Sequence, residues 1–329
     1  MTTHTPPLDL APVRELTPAL PGRARLTRTL TAAPSGTTAM ARDTRVLALQ
    51  RFAMSITALT VLGHTLLGFE QSMLTPVCTA LFAYTLELGL DAVNAAARGT
   101  MPLYRKGLPA IITGLLPTHI AAMAVSMLLF AGSNLLPYLF AVSIAVTVKH
   151  LVKAKVDGRW RHTLNPSNTG IATTLLLFPW VGIAPPYQFT ANVAQPLDWV
   201  VPLAVLVLGT MLNAKLTGRW PVVIAWVLAF AGQAVVRFVL EGGQVWSYLS
   251  PMTGAAFILF TNYMITDPGS TPSSRRGQYL FGVGCAGLYG LLVSMHVSFT
   301  LFFALVGTCL VRTALLHIAH LRLAGDEPR

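Results

Sequence analysis

The sequence predicts an all-α polytopic membrane protein of about ten transmembrane helices, with both termini on the cytosolic side. Three observations carry that expectation. Hydrophobic residues make up 53% of the 329 residues and charged ones only 11%, where soluble domains carry about 25%. Apolar stretches recur along the chain, each near the roughly 20 residues that a helix needs to cross the hydrocarbon core. The basic residues fall almost wholly on one side of the alternation between those stretches, which is the positive-inside pattern. The formal net charge of +11 is therefore a topological signal, and no nucleic-acid partner is expected.

Residues 1–47 are rich in Pro, Thr, Ala and Arg, and seven arginines occur by Arg51. They lack the apolar run of about 7–15 residues that a secretory signal needs, and read as a disordered basic cytosolic tail near anionic lipid. The transmembrane domain is expected over 48–320, followed by a short cytosolic tail over 321–329. Its spans fall at about 52–69, 73–96, 107–131, 134–152, 166–183, 197–214, 220–240, 247–266, 278–295 and 297–319. Counted from a cytosolic N-terminus, the even-numbered connections and the two tails hold 22 of the 23 basic residues. Arg237, late in the seventh span, is the exception. Two stretches after even spans echo each other: Ala154-Lys-Val-Asp-Gly-Arg-Trp160 and Ala214-Lys-Leu-Thr-Gly-Arg-Trp220. They are either recurring basic turns with an interfacial Trp or the trace of an internal duplication.

Two polar islands interrupt the apolar pattern on the same, cytosolic side. The first is His162-Thr-Leu-Asn-Pro-Ser-Asn-Thr-Gly170. Asn165 suits an N-cap and Pro166 the first helical position, and the free N–H groups of such a helix end suit an anion or a carbonyl-rich ring. Ser167, Asn168 and Thr169 add side-chain donors and acceptors, up to Gly170. The second island is Thr266-Asp267-Pro268, where an apolar run ends in a carboxylate and a Pro/Ser/Gly loop. Pro268 ends the helix, and Asp267 either closes a turn or meets a ligand. Arg275 and Arg276 are interface anchors or phosphate contacts. Lys149 and His150 are expected to snorkel to the interface. Glu87 and Asp91, spaced i, i+4, form a like-charge pair that either lines a proton or cation path or pairs with arginines. Cys78, Cys285 and Cys309 have no metal spacing and read as apolar packing residues. Gly282-x-Gly284-x-x-Gly287 lies inside the ninth span, where small residues favour helix packing rather than nucleotide binding.

The Asn165-Pro166 helix start, with Thr261-Asn-Tyr-Met-Ile-Thr-Asp-Pro-Gly269 closing another helix, resembles the RnfD/NqrB family, membrane components of the Rnf and Na+-translocating NADH:quinone reductase complexes. The wording is most similar to the RnfD-like, UnbU-type branch found in enediyne antibiotic gene clusters. The resemblance covers about residues 45–320. It implies two inverted five-helix repeats in a bacterial plasma membrane, and a flavin-dependent electron-transfer protein working within a redox complex. The implied cofactor is FMN or riboflavin, held by Asn165, Pro166, Ser167, Asn168, Gly170, Thr266, Asp267 and Pro268. The implied partners are membrane lipid and a quinone or a partner redox subunit. The family's covalent flavin sits on a Ser-Gly-Ala-Thr threonine after the fifth span. Here that loop, Gly182–Pro196, has Thr190 as its only threonine and lacks the motif, so any flavin is expected to be non-covalent. The alternative expectation is a transporter or channel on the same scaffold without a redox cofactor.

Overall fold

The computed structural model describes residues 36–156, 159–184, 200–213 and 217–325. The chain divides into two units, residues 1–43 and 44–329. In the first, the described residues 36–43 are helical.

Helices dominate, in the order α1 (Gly36–Thr65), α2 (Leu74–Ala97), α3 (Leu108–Leu128), α4 (Leu136–Leu151), α5 (Pro166–Leu177), α6 (Val200–Leu212), α7 (Trp220–Glu241), α8 (Val245–Leu249), α9 (Ala255–Leu259), α10 (Arg275–Ser294) and α11 (Thr300–Gly325). Each of the ten expected spans coincides with helix, but only six described stretches are long and apolar enough to cross a membrane. They are Val46–Thr65, Leu74–Ala97, Leu108–Leu128, Trp220–Glu241, Arg275–Ser294 and Thr300–Arg322. Large apolar side chains such as Leu74, Val93, Leu240 and Leu280 are exposed on them, as lipid-facing surfaces require. Of the other four, three are shorter or broken, and the fourth, α6, is described only in part. α4 has 16 residues and α5 only 12; a 12-residue helix rises about 18 Å, well short of the roughly 30 Å hydrocarbon core. Pro179 ends α5, because the residue before a proline is pushed out of the helical region, and Phe178 has ψ 87°. α6 is described from Val200.

The expected eighth span departs most. Instead of one helix over 247–266, it consists of α8, a 3-10 turn at Ser250–Thr253, α9 and a π-turn at Phe260–Met264. Pro251 lacks the N–H that would carry α8 onward, and Gly254 is extended, with ψ 144°. In the π-turn the Ile265 N–H donates to the Phe260 carbonyl at 3.0 Å, which leaves neighbouring carbonyls for side chains to satisfy.

α1 is described from Gly36, within the stretch expected as tail, and α11 as far as Gly325. The all-α expectation also missed two short ribbons, β1 (Leu129–Phe130) with β4 (Gly182–Ile183), and β2 (Lys153–Val156) with β3 (Arg159–His162). The second had a local signal, since Asp157-Gly158 separates the paired runs and such dipeptides favour two-residue hairpins. Residues 157–158, and residues 214–216 of the echoing stretch, lie outside the described residues.

α7 packs on α10, α4 on α5 and α2 on α3. Gly282 permits the first contact: a Cβ there would stand 2.8 Å from Ala225 Cβ and Trp226 N, whereas Gly284 and Gly287 meet nothing within 4 Å. Trp226 and Phe230 on α7 are fully buried and cluster with Phe257, Phe260 and Tyr289, ring centroids 4.8–6.2 Å apart.

Among the described residues, Glu87 and Arg237 lie in ion pairs. Lys149 Nζ lies 2.5 Å from Glu87 Oε2, and His150 Nε2 lies 3.1 Å from Glu87 Oε1. Thr118 donates to Glu87 Oε2 at 3.0 Å and accepts from Lys149 at 2.9 Å. Lys149 and His150 therefore turn inward to join α2, α3 and α4 instead of snorkelling. Glu87 and Asp91 do not act as a pair, because Asp91 accepts from the Leu103 N–H at 2.6 Å. Arg237 binds Glu241 one turn along α7, at 2.9 Å.

Candidate functional site

The start of α5 is built as the residue types require. Asn165, with φ −68° and ψ 119°, takes the cap position ahead of Pro166. Its Oδ1 accepts from the Asn168 N–H at 2.9 Å and from the Ser167 hydroxyl at 3.1 Å. Its Nδ2 reaches out of the helix and donates to the Met264 carbonyl in the π-turn at 2.9 Å, across 99 residues of sequence. One turn on, Asn168 Nδ2 donates to the Phe302 carbonyl of α11 at 2.9 Å. Gly170 faces α4 so closely that a Cβ would collide with the Ala141 carbonyl oxygen.

The π-turn is the hub of these links. Asn213, at the end of α6, donates to the Asn262 carbonyl at 2.7 Å, and Thr266 donates to the same carbonyl at 2.6 Å. Trp226 Nε1 donates to the Thr261 hydroxyl at 2.9 Å. Side-chain donors from three other helices thus satisfy a segment whose backbone ladder is irregular. In a membrane such backbone is tolerated only where protein groups or a water-filled cavity satisfy it.

Asp267 sits just past this hub. Its Oδ2 accepts from the Ser270 N–H at 2.8 Å and lies 3.3 Å from His162 Nε2, at the end of β3. Gly269 packs on the His162 ring with no room for a Cβ. Arg219, 6% exposed, donates to the Pro272 carbonyl and, at 3.3 Å, to the Pro268 carbonyl, so that it clasps the loop after the π-turn. Burial acts to raise the Asp267 carboxyl, but the hydrogen bond and charge of His162, with the Ser270 contacts, outweigh it and hold Asp267 below the ordinary Asp value. A depressed folded-state value means that the stabilisation is present above the unfolded value, about 3.9, and is lost as the pH falls below it. The wild-type protein is expected to lose stability in acid below about pH 4. Asp267→Asn should flatten that limb of a plot of unfolding temperature against pH; an unchanged limb would remove Asp267 from the acid response.

The two islands are therefore in contact, through Asn165 with Met264 and through His162 with Asp267. Asn165, Ser167, Asn168 and Thr266 are buried, Pro166 and Asp267 half-buried, and Pro268 exposed. Most of their hydrogen-bonding capacity stitches helices together: the amide donors of Asn165 and Asn168 engage backbone carbonyls, and Gly170 serves packing. Asn168 Oδ1 is the exception, buried without a hydrogen-bond partner. His162 as the Asp267 partner, Arg219 as the clasp and Asn213 as the α6 link escaped the sequence reading, because their partners lie 49–105 residues away. Thr190, the threonine of the loop expected to lack covalent flavin, lies outside the described residues. No protein-family model matches the chain, and no curated protein matches it.

Proposed function

We propose that this chain is an integral membrane electron-transfer protein of the RnfD/NqrB kind, binding FMN or riboflavin non-covalently at the corner between α5 and the π-turn. The observation that carries this reading is the 2.9 Å contact of Asn165 with Met264, which joins the two stretches that carry the resemblance. Asn168 Oδ1, buried and without a partner, offers the acceptor that a ring N–H of an isoalloxazine would satisfy; Asp267 fixes the loop beside it. A bound flavin would supply the redox chemistry, while the chain's own residues hold and orient it and exclude water. Electrons would pass to or from a quinone or a partner redox subunit, in a bacterial plasma membrane and in the service of natural-product (enediyne) biosynthesis. The ten helical segments fit two inverted sets of five, with α1–α5 in the first and the remainder in the second.

Protein purified in detergent is expected to show flavin absorbance, and acid precipitation should release all of the flavin into the supernatant. Protein without flavin, and unable to take up added FMN or riboflavin, would end this reading.

A second reading, a transporter or channel on the same scaffold, is favoured by the short α5 and the segmented α8–π-turn region. Discontinuous helices of this kind frame midplane substrate sites in transporters. Asp267→Asn protein that keeps its flavin but loses solute flux in liposomes would select it.

A further inference from the structure

A series of hydrogen-bonded polar side chains runs through α1–α4, apart from the corner between α5 and the π-turn. At its centre is His119, midway along α3. Both of its ring nitrogens meet hydroxyls: Nδ1 lies 2.5 Å from Tyr84 Oη of α2, and Nε2 lies 2.6 Å from Thr57 Oγ1 of α1. The partners set the tautomer. Thr57 has one hydroxyl proton and gives it to the Ala53 carbonyl at 2.7 Å. The His119 Nε2–H therefore donates to Thr57, and Nδ1 accepts from Tyr84. His150, near the end of α4, is held in the same way. Its Nδ1 faces Asn94 Nδ2 at 3.3 Å, and its Nε2–H donates to Glu87 Oε1 at 3.1 Å. Each ring accepts on one side and donates on the other, which is how an imidazole hands on a proton.

The two groups follow one another through the membrane. Tyr84 and Glu87 are one turn apart on α2, and Thr118, which donates to Glu87 at 3.0 Å, immediately precedes His119. Asn94 lies two turns further along α2, towards the basic connection that the positive-inside pattern assigns to the cytosol. In the other direction α1 carries Thr60 and His64 at i+3 and i+7 from Thr57, on one helix face. Thr60 is buried. His64 stands one residue from the far end of α1, with Nδ1 2.8 Å from the Thr60 carbonyl. A carbonyl only accepts, so Nδ1 carries the hydrogen and Nε2 presents its lone pair, buried and without a partner.

Helix stitching does not account for the series. A buried ion pair holds helices together no better than apolar side chains of similar volume, and ionisable groups within spans mark ion and proton pathways. The other charged groups facing it are Lys149 at Glu87 Oε2, Asp91 one turn along α2, and Lys153 of β2.

We propose that α1–α4 carry a proton path across the membrane, from His150 through Glu87, Tyr84, His119 and Thr57 to His64. A proton enters at His150 Nδ1 as the Nε2–H passes to Glu87 Oε1, and Lys149 balances the carboxylate once that proton has left. It moves one turn along α2 to the Tyr84 oxygen, as the Tyr84 hydroxyl proton passes to His119 Nδ1. The His119 Nε2–H then leaves to Thr57, and by way of Thr60 a proton reaches His64 Nε2. Only N–H and O–H bonds form and break, one proton leaves for each that enters, and nothing is oxidised or reduced. The path stands whether or not the α5 corner binds flavin.

The test uses the full chain in phosphatidylcholine liposomes loaded with K+ and pyranine, where valinomycin sets a potential that draws protons inward. Wild-type protein is expected to acidify the interior faster than protein-free liposomes do. His119→Gln is expected to lose that flux while keeping its unfolding temperature, because an amide can bond both hydroxyls but cannot pass a proton between its two ends. Tyr84→Phe should lose the flux as well, and is read alone if the His119 variant does not fold. Thr85→Val, which removes an exposed hydroxyl beside Tyr84, should conduct as the wild type does. The inference is overturned if the wild type acidifies no faster than empty liposomes, with or without Na+ entry. It is also overturned if both variants conduct normally, if Thr85→Val loses flux equally, or if the loss of flux only follows a loss of unfolding temperature.

Discussion

Glu87→Ala is expected to destabilise the protein by about 3–5 kcal/mol, the range for removing one member of a buried ion pair. The Glu87 side chain is 8% exposed and stands between Lys149 and His150, which are 15% exposed. Its removal leaves an ammonium on α4 without its carboxylate, and Thr118 on α3 without its acceptor. Desolvation of that lone charge, more than loss of the pair's attraction, sets the size of the effect. Removing both charges should therefore recover most of the loss, because replacing a whole buried pair by apolar side chains of similar volume is often close to neutral. Reversible unfolding in detergent checks both halves: Glu87→Ala alone should be the least stable of the set, with Glu87→Leu/Lys149→Met near the wild type. Equal instability of the two variants would show that the cluster acts through shape and hydrogen bonds instead of charge balance.

The second large effect is expected at Gly170. A Cβ there would fall on the backbone carbonyl oxygen of Ala141, an atom that cannot rotate aside as a side chain can. Gly170→Val must push α5 away from α4 and, through Asn165 and Asn168, disturb the contacts to the π-turn and α11. Overpacking of a tight contact costs about 1–3 kcal/mol and occasionally more, and the rigid partner places this case at the upper end, near 3 kcal/mol. Gly284→Ala is the control, since its Cβ would meet nothing within 4 Å, and it should be neutral or slightly stabilising by helix propensity. Unfolding of the two variants under one set of conditions checks the contrast; a stable Gly170→Val protein would mean that α4 and α5 can separate without loss.

Much of the fold was legible because its causes are local. Asn165 and Pro166 start a helix by their own conformational preferences, and Pro268 stops one by its missing N–H. The shortness of α5 and the segmentation after α7 also had local signals, in Pro179, Pro251 and Gly254. Counting apolar residues over a membrane-length window passes over such breaks, because one proline hardly changes the mean of some twenty residues. The candidate site was legible in its residues but not in their use. Nothing near Asn165 shows that its amide will meet Met264, and nothing near Arg219 shows that it will clasp the 268–272 loop.

What the sequence alone determined is the class of protein and the ends of several helices. Hydrophobicity, charge and proline act over a few residues and accumulate along the chain. What only the tertiary structure decided is how the buried polar groups are partnered: Lys149 with Glu87, His162 with Asp267, the asparagines with the π-turn carbonyls. A buried donor or charge has to be satisfied by whichever group lies opposite, and that depends on which helix faces meet, a relation between segments up to 150 residues apart that no local stretch of sequence records.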